Sequence, residues 1–192
     1  MPLPVMVAVT PGDARDLRPW ITALGEAGLP AVLVREPGRS LEEARGVVAF
    51  ALAHVPTVWL HLRTPHDEAL LDAVDGVHLP DAPWEAPRRP WGRSCHSETA
   101  VQSAWAHGAH WTFLSPIHPP TSKVDDRPTL GSEVFRGLRG PVYALGGMTP
   151  ERHREAVAAG AVGSAVLGDL FGQPSPAAAA ERLTDWLQPT AR

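Results

Sequence analysis

The chain holds one cysteine, Cys95, which rules out an internal disulfide and a cysteine-based zinc cluster. Lysine is equally scarce, occurring only at Lys123. With no basic block, a formal charge of −4 and a pI near 6.1, the surface does not suit a nucleic-acid backbone. No apolar run is long enough to span a bilayer, and no basic stretch precedes an apolar one at the N-terminus. The expectation is a soluble cytoplasmic protein with neither a nucleic-acid nor a membrane partner.

What is present is an alternation. Eight short apolar segments, at 5–9, 31–34, 58–62, 76–79, 91–94, 111–114, 142–145 and 163–167, read as strands. Helical patterns separate most of them. Leu17, Trp20, Ile21 and Leu24 share one helical face over 16–27, and Gly28 stops it. Ser40 with Glu43 predicts a capping box for a helix to about His54. Thr64-Pro65 opens a short helix through Leu71, Ser97 caps one ending at Gly108, and another short one covers 134–138. Thr149-Pro150 and Ser175-Pro176 open the last two.

Continuous apolar strands suit a parallel sheet covered on both faces. Eight units in 192 residues predict an α/β fold of one domain, 1–192, closed as a compact (β/α)8 TIM barrel. An open doubly wound sheet is the alternative, because periodicity does not show closure. The fourth connection is irregular: four prolines and Trp84 between 80 and 90 leave no room for a full helix.

In a barrel, residues just past each strand converge on one face. The strand at 142–145 ends in Gly146-Gly147 before the Thr149 cap, and the strand at 163–167 ends in Gly168. This pair of glycine-ended strands predicts a phosphate site in which bare backbone amides face the anion. Arg35 and Lys123 are candidate anion partners; Glu36, His96 and His118 are candidate proton carriers; Ser94 and Ser115 lie on the same rim. The polar loop 115–131 has the composition of a lid.

Four histidines, His61, His78, His96 and His118, fall near consecutive strand ends, a pattern that binds zinc in some barrels. His61 and His78 sit inside apolar strands, where they can point away from the mouth, and no carboxylate cluster accompanies them. No metal site is expected. Cys95 reads as a packed residue. His54, His107, His110 and His153 read as helix or loop surface. Trp20, Trp105 and Trp186 fall on helical faces, as outer core or as the interface of a homo-oligomer. Trp84, at the functional face, could cover a planar heterocycle or pack in place of the missing helix.

Four motifs follow one another in order: Val34-Arg35-Glu36, Gly76-Val77-His78-Leu79-Pro80, Gly92-Arg93-Ser94-Cys95-His96-Ser97, and Ala144-Leu145-Gly146-Gly147-Met148-Thr149-Pro150. Together they resemble the thiamin phosphate synthase/TenI superfamily over essentially the whole chain, and that resemblance implies a TIM barrel. Thiamin phosphate synthases join a pyrimidine diphosphate to a thiazole phosphate and need magnesium. Their third strand ends in Asn-Asp and their fourth in Gly-Gln followed by a metal-binding Asp. Here those places hold His61-Leu62 and Pro80-Asp81, and Pro37 stands where a lysine follows Arg-Glu.

TenI-type members are more similar, sharing the Leu-Pro, Gly-Arg-Ser-x-His-Ser and Gly-Gly-Met-Thr-Pro runs. That resemblance implies thiazole tautomerase activity: a proton shift on a carboxythiazole phosphate in thiamin biosynthesis, with no metal or other cofactor. In this reading His118 and Glu36 are catalytic. Arg35, Ser94, His96, Ser115 and Lys123 bind the phosphorylated thiazole, and Gly146, Gly147 and Gly168 bind its phosphate. Pro116 takes the place of the tautomerase histidine, with His118 two residues later, and Ser115-Pro116-Ile117 is closer to the synthase order. The alternatives are a diverged synthase, a transferase, and a non-catalytic barrel that binds thiazole phosphate or thiamin phosphate.

Overall fold

Short apolar runs bounded by glycine and proline become strands at all eight places. They are β1 (Met6–Val9), β2 (Val32–Val34), β3 (Val58–His61), β4 (Gly76–Leu79), β5 (Trp91–Cys95), β6 (Trp111–Leu114), β7 (Val142–Ala144) and β8 (Gly163–Val166). In the computed structural model, which describes residues 2–62, 70–83, 85–119 and 127–188, each strand pairs in parallel with the next. β8 returns to β1 through Met6↔Ser164 and Val7↔Ala165, so the barrel closes and the open-sheet alternative falls away.

Both faces of the sheet are apolar for different reasons. Outward residues such as Ala8, Val32, Val34 and Leu60 pack under the helices, while Val7, Leu33, Trp59, Trp111, Phe113 and Tyr143 fill the interior. Two tryptophans in one small barrel need space, and neighbouring strands supply it with glycine. Trp59 pairs in register with Gly76, and Trp111 with Gly92. A Cβ on Gly92 would lie 2.1 Å from Trp111 Nε1, and one on Gly76 2.6 Å from the same indole. The rings of Trp59 and Trp111 stack with centroids 4.0 Å apart and planes 14° from parallel.

Four helices start where their caps predict, while α1 begins without a capping side chain. α1 (Arg18–Glu26) buries Trp20, Ile21 and Leu24. α2 (Leu41–His54) carries the Ser40–Glu43 capping box. α3 (Glu98–Ala106) is capped by Ser97, α4 (Pro150–Ala159) by Thr149, and α6 (Pro176–Leu187) by Ser175. Two elements differ from expectation. The segment expected as a helix at 134–138 is a 3-10 helix, Ser132–Gly137, and a four-residue helix α5 (Gly168–Phe171) follows β8 at once. Most of the helix expected over 64–71 lies outside the described residues.

His153 corrects another expectation: it is buried, with Nδ1 3.0 Å from Ser164 Oγ and its ring beside Trp186. One turn into α4, it faces the sheet, and burial lowers its pKa. No described helix is long and apolar enough to cross a membrane.

Candidate active site

The strand ends open into a cavity of about 480 Å³, a size that suits a small ligand. Seven of the expected site residues line it: Arg35, Ser94, His96, Ser115, Gly146, Gly147 and Gly168. Glu36 and His118 are not among the lining residues. Lys123 and Trp84 lie outside the described residues, as do positions 120–126 of the loop expected as a lid.

At one end of the cavity the backbone is exposed. Gly146 and Gly147 have φ of +99° and +57°, a left-handed region that glycine enters without strain. Ile117 N–H donates to Leu145 O and His118 N–H to Gly146 O, tying the β6 loop to the β7 loop. The Arg152 guanidinium on α4 donates to the Gly147 carbonyl from the other side. Among the described residues no hydrogen bond uses the N–H of Gly146, Gly147 or Gly168. Amides so arranged can meet phosphate oxygens.

The two backbone bonds of the β6 loop also explain where His118 goes. They hold its Cβ against Gly147, and its Nε2 sits 3.4 Å from Ser132 Oγ, outside the set of residues that line the cavity. Desolvation, followed by the nearby Arg152 charge, lowers its pKa. Glu36 is likewise turned to structure. Its side chain is 2% exposed, accepts from Arg39 Nε at 2.7 Å and from Gly12 N–H at 3.3 Å, and so joins the β1 loop to the β2 loop. Arg35, the next residue back, lines the cavity while its N–H donates to Thr10 Oγ1 at 2.8 Å.

His96 reaches the cavity from the β5 end, with Nδ1 2.7 Å from the Ser115 carbonyl oxygen. The guanidinium of Arg127, from the far end of the same loop, meets the same nitrogen. Cys95, the residue before His96, is buried, and burial first, then Asp81, pushes its thiol up to about 12. It is packed, as its sequence neighbourhood suggested.

Three lining residues escaped the sequence reading of the site, His61, His78 and Arg127, while Asp169 lines the cavity as its place just past β8 implies. In strands apolar on both faces nothing in the local pattern says which way a histidine points. The available signal was the pairing of tryptophan with glycine. Gly76 and Gly92 make room inside the barrel, so His78 and Ser94, two residues on, face inward too. His78 lies 4.1 Å from Phe113 and 5.6 Å from His61, ring to ring, forming an aromatic floor. Asp169 opens α5 and is held by Arg182 Nε and Trp186 Nε1, each at 2.8 Å.

The donor set does not fit a magnesium ion. Of the carboxylates lining the cavity, Asp169 is held by those two donors and Asp81 lies 3.7 Å from Arg93. Among the described residues no cluster of three His, Cys, Asp or Glu side chains could hold a metal. Hard divalent ions need several oxygens.

The comparisons agree with this architecture. A family model described as thiamine monophosphate synthase matches residues 6–170. A thiamine-phosphate synthase of Roseiflexus castenholzii is 31% identical over 186 residues, covering 89% of this chain and 81% of that protein. One from Geobacillus kaustophilus is 33% identical over 129 residues, 61% of this chain and 58% of that relative, so the match spans little more than half of it. The fold is similar to that of thiamine phosphate pyrophosphorylase from Pyrococcus furiosus, with a TM-score of 0.78 at 20% identity over 97% of this chain and 96% of that one.

Proposed function

The chain belongs to the thiamine monophosphate synthase family, and from that premise we propose a diverged thiamin phosphate synthase, a transferase joining a pyrimidine diphosphate to a thiazole phosphate. One observation carries the choice of transferase over isomerase. The acid and base that a tautomerase reading requires, His118 and Glu36, are built into the walls, while the residues suited to gripping a phosphorylated heterocycle line the cavity. The relatives named above carry the synthase name, which points the same way.

In this reading the amides of Gly146, Gly147 and Gly168 hold phosphate. Arg35 and Arg127 supply positive charge along the cavity, and Ser94, His96 and Ser115 orient the heterocycle above the aromatic floor. Arginine matches phosphate oxygens in a bidentate fork, so two of them can balance much anionic charge without a metal. No step is assigned to magnesium, because the carboxylates present do not form its site.

The tautomerase reading comes second, favoured by that same donor set, since a proton shift needs no hard-metal ligands. The test is to incubate purified protein with pyrimidine diphosphate and thiazole phosphate, with and without magnesium, and separately with carboxythiazole phosphate. Coupled product supports the transferase; an aromatised thiazole with no coupling overturns it. His118→Asn is expected to leave coupling intact. Binding of thiazole phosphate without turnover of either kind would mark a non-catalytic barrel.

A further inference from the structure

Trp111 Nε1 lies 3.2 Å from His78 Nδ1, and His78 Nε2 lies 3.0 Å from Ser94 Oγ. An indole N–H can only donate, so His78 Nδ1 must offer a lone pair. Burial, followed by the neighbouring His61, keeps the His78 ring neutral. The one ring proton therefore sits on Nε2 and is donated to Ser94 Oγ. The serine's own hydrogen then has no use on the histidine side, and Ser94 lines the cavity.

We propose that Trp111 is a positioning residue of the ligand site: by fixing the tautomer of His78, it makes the Ser94 hydroxyl a hydrogen-bond donor to a ring nitrogen or oxygen of a bound heterocycle. The same arrangement denies Ser94 a nucleophile's role, because the imidazole nitrogen beside it gives a proton instead of accepting one. The barrel is built around this contact. Gly92 stands between His78 and Trp111 in register, and only a residue without Cβ lets the indole pass over it. The stacked Trp59 ring then holds the indole plane.

The identity of the ligand rests on the proposed function; the tautomer does not. Long-range ¹H–¹⁵N correlation on the His78 ring is expected to show the Nε2–H form in the wild-type protein at neutral pH. In Trp111→Phe an Nδ1–H population is expected to appear. A wild-type ring protonated at Nδ1, or a tautomer indifferent to Trp111→Phe, overturns the proposal.

Affinities for thiazole phosphate and for the pyrimidine diphosphate are measured separately, with inorganic phosphate as control. Ser94→Ala and Trp111→Phe are each expected to weaken one heterocycle about tenfold, the worth of one hydrogen bond, and to leave phosphate unchanged. Unchanged heterocycle affinity in Ser94→Ala overturns the donor role even if Trp111→Phe fails to fold. If neither heterocycle binds the wild type, the proposed function fails, while the ring-proton measurement still decides the link between Trp111 and His78.

Discussion

The Glu36 carboxylate and the Arg39 guanidinium meet at 2.7 Å with the acid sealed from solvent, and the same acid accepts the Gly12 N–H. Removing it strands a cation and a backbone donor between two loops. Glu36→Ala is expected to cost about 2–3 kcal/mol, read as a fall in melting temperature. Glu36→Gln keeps an acceptor for Gly12 and should retain most of the activity. A Gln variant that melts normally yet is inactive would make Glu36 a proton carrier after all.

Gly147 gives a sharper test of the proposed phosphate site. Its φ is +57°, and a Cβ there would lie 2.3 Å from the Pro119 carbonyl oxygen. Gly147→Ala must therefore move the β6 loop or the β7 loop. The expected result is a loss of about 1–2 kcal/mol in stability and at least tenfold in thiazole phosphate affinity, measured by calorimetry.

Acid should destabilise the fold through its buried histidines. Burial lowers the pKa of His78 and His153 below the ordinary value of 6.5. The unfolded chain therefore binds protons that the folded chain refuses, and stability rises with pH across that interval. It is complete above pH 6.5 and lost as pH falls from there toward the folded values, by up to about 1.4 kcal/mol per pH unit for each histidine. Denaturant titrations between pH 7.5 and 5 measure this. His153→Gln should flatten the slope, and an unchanged slope would remove His153 from the account.

Cys95 is 0% exposed with a thiol held near 12. It is expected to resist alkylation at pH 8 in the folded protein and to react fully in denaturant. Rapid labelling of the native protein would show that the β5 end opens more readily than its packing implies.

Most of the barrel was legible in the sequence because each strand is an apolar run with a hard stop. Capping residues at Ser40, Ser97, Thr149 and Ser175 marked helix starts for the same local reason. Gly146, Gly147 and Gly168 were legible as cavity residues since they directly follow strands. The rest depended on contacts distant in sequence. His118 turns away because the β6 loop bonds to Leu145 and Gly146, and no local pattern encodes that. His61 and His78 face inward because glycine and tryptophan interlock on neighbouring strands. Arg127 reaches His96 across 31 residues of chain. α5 spans only four residues, too few to show a period.

The stacked pair of Trp59 and Trp111 lies two residues deeper than His61 and Phe113, and Tyr143 O–H closes the same end by donating to Pro4 O at 2.6 Å. Among the described residues the deep end of the barrel is thus filled by side chains, so on the proposed transferase reading both reactants enter, and their product leaves, by the strand-end mouth.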